Sequence, residues 1–248
     1  MKRIFTLILS ALFAVAFTTA HAQTQEYVLL WTNGGNLSVK WLSGVDSLTF
    51  EEKPADVIIN GHTFVDLGLP SGLLWAECNV GASIETGDGD YFAWGETETK
   101  ANYSWSTYKW GENLSKYNLS DDKNTLGAED DAATVNWGQP CRMPSSSEFE
   151  ELCSKCDWSW KSSFNNTSGY LVTGPNGNSI FFPASGNRHD DDLYQRSSVG
   201  YYWSRTLFTI DYNVEARCLS FDSAFVHSTK FSSNQRYYGY PVRPVANK

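Results

Sequence analysis

The 248-residue sequence is short of histidine, with four in all. They are scattered, so neighbouring residues assemble no zinc motif. It has no phosphate-cradling glycine loop and no Ser-His-Asp elbow, which removes the commonest hydrolase and nucleotide-binding readings. Basic residues are also scarce, 19 Lys and Arg against 28 Asp and Glu. A chain of that balance lacks the basic face that phosphate backbones require, so nucleic acid is excluded as a partner. Past the first twenty residues the apolar runs, such as Ile180-Phe181-Phe182, are only strand-length. No membrane span is expected there, and the protein is not expected to be an integral membrane protein.

The start of the chain reads as an export leader over residues 1–22. Lys2 and Arg3 form a positive cap, Ile4 to Phe17 an apolar segment, and Ala20-His21-Ala22 a small-x-small cleavage site before Gln23. No cysteine follows that site to take a lipid. The expected location is outside the cytoplasm: secreted, periplasmic or at the cell surface. Loss of Lys2 and Arg3 takes the net charge from −9 to −11, leaving carboxylates free for a hard cation such as calcium.

Five cysteines remain, Cys78, Cys141, Cys153, Cys156 and Cys218. An exported protein can form disulfides, and an odd count leaves at least one thiol unpaired. Cys153-x-x-Cys156 has no second CxxC to complete a zinc site. A helix explains Cys153 more simply. Ser145 and Glu148 form a capping box behind Pro144. Phe149, Leu152, Cys153 and Cys156 then share one apolar face at i, i+3, i+4 and i+7. A second, shorter helix is expected over Glu129 to Val135.

Elsewhere the chain reads as β structure. Residues 23–55 form a small β unit and linker: strands over Tyr27–Trp31, Leu37–Trp41 and Val45–Phe50, with Asn33-Gly34-Gly35-Asn36 as a turn. The main domain covers 56–248. Gly, Ser, Asn and Asp clusters recur about every ten residues there, which signals short strands and long loops. Fourteen Phe, thirteen Tyr and ten Trp supply the bulk to pack such loops.

Two loops are candidate sites. In the first, Tyr103, Trp105, Tyr108 and Trp110 offer flat rings for the apolar faces of sugars, with Ser and Thr between them to bond hydroxyls. The competing reading has Trp105 and Trp110 packing the loop onto the sheet. In the second, Arg188 and Tyr194 flank Asp190, Asp191 and Asp192, weak candidates for calcium ligands. Adjacent carboxylates seldom converge on one ion, so a solvated acidic turn competes there.

Several ordered segments carry a family likeness. They are Phe64 to Ala76, Cys78 to Ala82, Gly89 to Thr97, Val135 to Gly138, Arg142-Met143-Pro144, Gly200 to Ser204 and Val242 to Val245. Through them residues 60–245 resemble the Fibrobacter succinogenes major paralogous domain family, common in exported proteins of gut Bacteroidetes. Residues 24–52 resemble the short β units that often precede such domains. The stretch from Arg142 to Phe149 is also similar to a segment of formylglycine-generating-enzyme-like and C-type-lectin-like domains.

The resemblance implies an α+β, C-type-lectin-like fold: a twisted antiparallel sheet with one or two helices and long loops, behind a small N-terminal β unit. It also implies a pair Cys78–Cys156 common to the family. A pair Cys141–Cys218 would be particular to this chain, and the connectivity stays open. Trp94, Glu96, Trp137, Trp203 and Arg243 are expected to maintain the fold. Gln139-Pro140-Cys141 only begins like a lectin sugar-binding loop.

Formylglycine-generating enzymes use a late cysteine pair at copper. Here Cys218 stands alone, so no enzyme is expected and no cofactor beyond a possible calcium. The expected function is a non-enzymatic binding module for a glycan or surface glycoprotein. The alternatives are an adhesion protein acting by protein–protein contact and a degenerate formylglycine-generating-like enzyme. No oligomeric state is implied.

Overall fold

The computed structural model describes Phe13–Phe17, Glu26–Asn33, Asn36–Leu42 and residues 57–248, apart from 119, 210–213 and 228–231. Side chains are described from residue 57 onward. The chain divides into two units, Met1–Lys53 and Pro54–Lys248. The first contains an antiparallel sheet of β1 (Phe13–Phe17), β2 (Glu26–Asn33) and β3 (Asn36–Leu42), in that order. Asn33 faces Asn36, so β2 and β3 form the expected hairpin. β1 falls inside the expected leader, and the expected strand over Val45–Phe50 lies outside the described residues.

The second unit is an α+β fold of mostly antiparallel sheets with two α-helices. One sheet contains β4 (Val57–Ile59), β5 (His62–Asp66) and β6 (Leu74–Ala76), closed by β16 (Val245–Ala246) from the chain's end. After α1 (Ala132–Trp137) and α2 (Ser146–Lys155) comes a meander of β7 (Asp157–Phe164), β8 (Thr167–Thr173) and β9 (Ser179–Pro183). A small hairpin follows, β10 (Asn187–His189) with β11 (Asp192–Tyr194). β12 (Val199–Leu207) and β13 (Glu215–Asp222) pair antiparallel. β14 (Val226–His227) and β15 (Ser233–Gln235) both pair with β13.

Alternation along these strands creates two hydrophobic cores. In β5, β6, β12, β13 and β16, successive residues point to opposite faces. Phe64, Leu74, Ala76, Trp203, Ala216, Cys218 and Ala246 enter the first core. Val65, Trp75, Tyr202, Leu219, Phe221 and Val245 enter the second. The second core is capped by Phe149 and Leu152 of α2 and by Tyr170, Val172, Ile180 and Phe182 of the meander. The first is capped by irregular chain between β6 and α1, through Phe92, Trp94, Tyr103, Tyr108, Trp110, Tyr117 and Leu126.

α2 starts where the sequence places it. Ser145 Oγ accepts the Glu148 N–H at 3.2 Å, and Glu148 Oε2 accepts the Ser145 N–H at 2.7 Å. Such a cap stabilises a helix by about 1 kcal/mol. Arg142 adds a two-pronged pair to Glu148, at 2.7 and 2.6 Å. Cys153 packs against the second core, and burial pushes its thiol up to about 12.

The shorter helix differs from expectation. Residues Ala128–Asp130 form a single 3-10 turn, and α1 begins only after Asp131. The Asp131 carboxylate accepts the N–H groups of Thr134 and Met143, so it caps the helix and cannot continue one.

The fold-bearing residues are buried. Trp94 and Trp203 are fully enclosed, and Trp137 stacks on His62 at 3.6 Å. Arg243 donates to the carbonyls of Ala76, Glu77 and Phe181 and to Asn79 Oδ1 at 2.8–3.1 Å, tying β6 to the meander and the C-terminal segment. Gly95 has φ 79°, and the Trp110 ring occupies the space a Cβ would need.

All five thiols are free, which corrects both expected disulfides. Cys141 and Cys218 are buried as small apolar groups in the first core, and Cys218 Sγ lies 3.2 Å from Ser232 Oγ. Cys156 ends α2 in the second core, while Cys78 is half-buried outside both cores, near Arg243. Among the described residues, no helix is long and apolar enough to cross a membrane.

Candidate functional site

The two candidate loops, some eighty residues apart in sequence, meet in space. Tyr103 and Asp190 exchange backbone hydrogen bonds of 2.8 and 3.0 Å, and Asn102 Nδ2 donates to Asp191 Oδ1 at 2.8 Å. On the other side of the hairpin, Arg188 exchanges backbone bonds with Gly239. The segment Tyr237-Tyr238 is thereby laid beside His189.

Most of the aromatic loop faces inward. Tyr103, Tyr108 and Trp110 are buried in the first core. Tyr103 Oη donates to the Tyr91 carbonyl at 2.5 Å, and Tyr108 Oη donates to the Trp94 carbonyl at 2.8 Å while accepting from Arg236 Nε. Burial pushes both phenols above their ordinary range. Trp110 packs edge-on against Tyr108 and Tyr117, so it offers no free ring face. The packing reading therefore describes these three residues.

Trp105 is different. It sits at the start of a 3-10 turn, Trp105–Thr107, and packs against the first core while staying partly exposed, so the packing reading holds for it in part. Its ring lies 4.9 Å from that of Tyr237, which continues to Tyr238 at 4.8 Å and His189 at 5.8 Å. Tyr194, 43% exposed, stands 6.1 Å from His189. These rings make a half-exposed aromatic face bordered by the acidic hairpin. Arg188 is held below it, with its guanidinium 5.3 Å over the Tyr91 ring.

The three carboxylates of the hairpin diverge. Asp191 accepts from Asn102, Asp192 accepts from Tyr194 Oη at 3.3 Å, and Asp190 lies 3.8 Å from His189 Nε2. Among the described residues, no three His, Cys, Asp or Glu side chains gather as a metal site. His189 belongs to the second candidate run, whereas Tyr237, Tyr238 and Asn102 lie outside both runs. The run Tyr237-Tyr238-Gly239-Tyr240 was the available signal, but nothing local ties it to residue 105.

A polar cleft of about 380 Å³ lies across the Trp105–Thr107 turn, lined by residues 96–100, Thr107 and Lys109. Glu96, 9% exposed, accepts through Oε1 from Lys100 Nζ at 2.9 Å and from the Lys109 N–H at 2.7 Å. Lys100 also donates to the Thr107 carbonyl, and its ammonium rides over the Tyr103 and Tyr108 rings. Lys109 Nζ pairs with Asp130 at 2.8 Å.

Cys218, the late cysteine, is fully buried, and burial pushes its thiol up to about 12. It is held protonated and out of reach at neutral pH. Compared with family models, with curated proteins and with solved structures, the chain matches none.

Proposed function

We propose that this chain is an exported, non-enzymatic binding module that recognises a glycan or glycoprotein at the cell surface. In this reading Pro54–Lys248 is a C-type-lectin-like domain of the Fibrobacter major paralogous kind. The single observation that carries the functional reading is the half-exposed face of Trp105, Tyr237, Tyr238 and His189. Flat rings pack against the C–H faces of a sugar. The flanking Asn102, Asp191 and Asp192 side chains supply acceptors and donors for its hydroxyls. Antiparallel sheets, two helices and long loops at the site support the fold assignment. The buried, protonated Cys218 supports a non-enzymatic role.

The test is a glycan and host-glycoprotein array probed with residues 23–248, with and without calcium. Saturable binding is expected, and it should fall at least about tenfold in a folded Trp105→Ala/Tyr237→Ala variant, as for loss of a central aromatic anchor. Binding that needs calcium would assign a metal to the acidic hairpin. A clean array from folded protein would overturn the glycan reading in favour of protein–protein contact.

A further inference from the structure

We infer that the cleft beside the aromatic face is a second subsite, built for a neutral polyhydroxylated ring such as a hexose unit. The inference rests on the glycan reading and deepens it, because one turn, Trp105–Thr107, separates the two surfaces. A ligand of two or more sugar units would stack one ring on Trp105 and Tyr237 and place the next in the cleft.

The cleft's volume, about 380 Å³, falls within the roughly 300–1,000 Å³ of small-ligand sites. Its chemistry is that of a hydroxyl reader. Thr97, Thr99 and Thr107 line it; the Thr97 and Thr99 hydroxyls can both donate and accept, while the Thr107 hydroxyl already donates to the Asn102 carbonyl and accepts the Ser104 N–H. Glu96 is nine-tenths buried, yet only Oε1 is engaged. Among the described residues its Oε2 has no partner, although it lines the cleft. An oxygen left open on a mostly buried carboxylate is an acceptor for a ligand's donor. Glu98, exposed and without a partner among the described residues, offers two more acceptor oxygens.

Anionic ligands do not fit. Lys100 is neutralised by Glu96 and Lys109 by Asp130, so no lining ammonium is left for an added negative charge. Vicinal hydroxyls suit the arrangement, since adjacent O–H groups donate to a carboxylate and accept from threonine.

The experiment is an amide NMR titration of the full-length protein with methyl glycosides of glucose, galactose and mannose, alongside glucosamine and glucuronate. At least one neutral glycoside should saturably shift the Lys109 amide, whose N–H bonds Glu96, together with the 97–100 amides. Glucuronate should bind more weakly. Thr99→Trp fills the cleft from an exposed position and should abolish the shifts. Glu98→Gln should weaken binding about tenfold, the worth of exchanging a charged acceptor for a neutral one.

Tighter binding of glucosamine than of glucose would overturn the neutral class in favour of an amine. If no glycoside moves the Lys109 amide, while the Trp105→Ala/Tyr237→Ala variant still loses array binding, the subsite fails and the aromatic face stands. If glycosides move Lys109 but the array is clean, the aromatic face fails instead.

Discussion

The two cores lie on opposite faces of the same strands and are closed in different ways. The second is capped by a helix and a three-stranded meander, whose backbone groups pair in regular ladders. The first is capped by irregular chain between β6 and α1, which among the described residues is joined to its neighbours by isolated bridges in place of ladders. Isolated backbone bridges such as Phe92–Tyr240 and Tyr103–Asp190 meet part of the backbone's need for partners, and aromatic side chains add bonds within the segment and from it to its neighbours. Trp94 Nε1 donates to the Ser204 carbonyl, Trp203 Nε1 to Phe92, Tyr91 Oη to Ser185, and Tyr108 Oη to Trp94. Arg236, fully buried, adds bonds to the carbonyls of Lys116 and Tyr117 and to Tyr108 Oη, with the Trp94 and Trp110 rings about its guanidinium. The lesson is that amphipathic rings can supplement sparse backbone bridges in satisfying buried carbonyls.

That contrast can be broken from either side. The largest effect is expected in the laddered core. Phe182→Ala empties space against Trp75, Trp158 and Tyr202 and should lose about 3–5 kcal/mol in urea unfolding. Its amide-exchange changes should centre on 157–183. In the loop-capped core, Arg236→Met strips donors from three enclosed oxygens and should lose about 3 kcal/mol. Exchange should then rise through 91–117 and spare the meander. If both variants loosened both regions alike, the two cores would be one cooperative unit without distinct caps.

Tyr108→Phe sharpens the comparison. It deletes one hydroxyl, removes the donor to the Trp94 carbonyl and the acceptor of the Arg236 Nε–H, and should lose about 1–2 kcal/mol. Protection should drop at Trp94 and Lys109 while the second core stays unchanged.

The smallest effect concerns the helix cap. Burial acts to raise the Glu148 carboxyl, but the Arg142 pair and the Ser145 bonds outweigh it and hold the group below its ordinary 4.5. A depressed carboxyl contributes stability above pH 4.5, and that contribution is lost as pH falls through the lower folded value. Glu148→Gln should lose about 1 kcal/mol at pH 7. Its urea midpoint should also fall less steeply than the wild type's as the pH drops from 5 to 3. Equal slopes would remove Glu148 from the pH response.

Local chemistry made part of this architecture legible in the sequence. The Ser145–Glu148 box and the i, i+3, i+4 face of α2 act within a few residues, as does the alternation that makes the β2–β3 hairpin. The recurring turn residues announced short strands and long loops. The inward packing of Trp94, Trp137 and Trp203 follows from their bulk. Where α1 begins was less legible, because Asp131 caps it partly through a bond to the distant Met143 N–H.

Tertiary structure alone decided which rings meet solvent. Nothing near residue 105 distinguishes Trp105 from Trp110. One is left half-covered beside Tyr237 and the other is closed in by Tyr108 and Tyr117, through contacts that span up to 132 residues. The same holds for the thiols, which look pairable in a list of cysteines: Cys141 and Cys218 enter the first core, Cys153 and Cys156 at the end of α2 meet the second, and Cys78 lies outside both. Periodicity and capping act over one or two turns of chain and can be read from it. A binding surface is a juxtaposition of distant segments, and only the closed fold sets their distances.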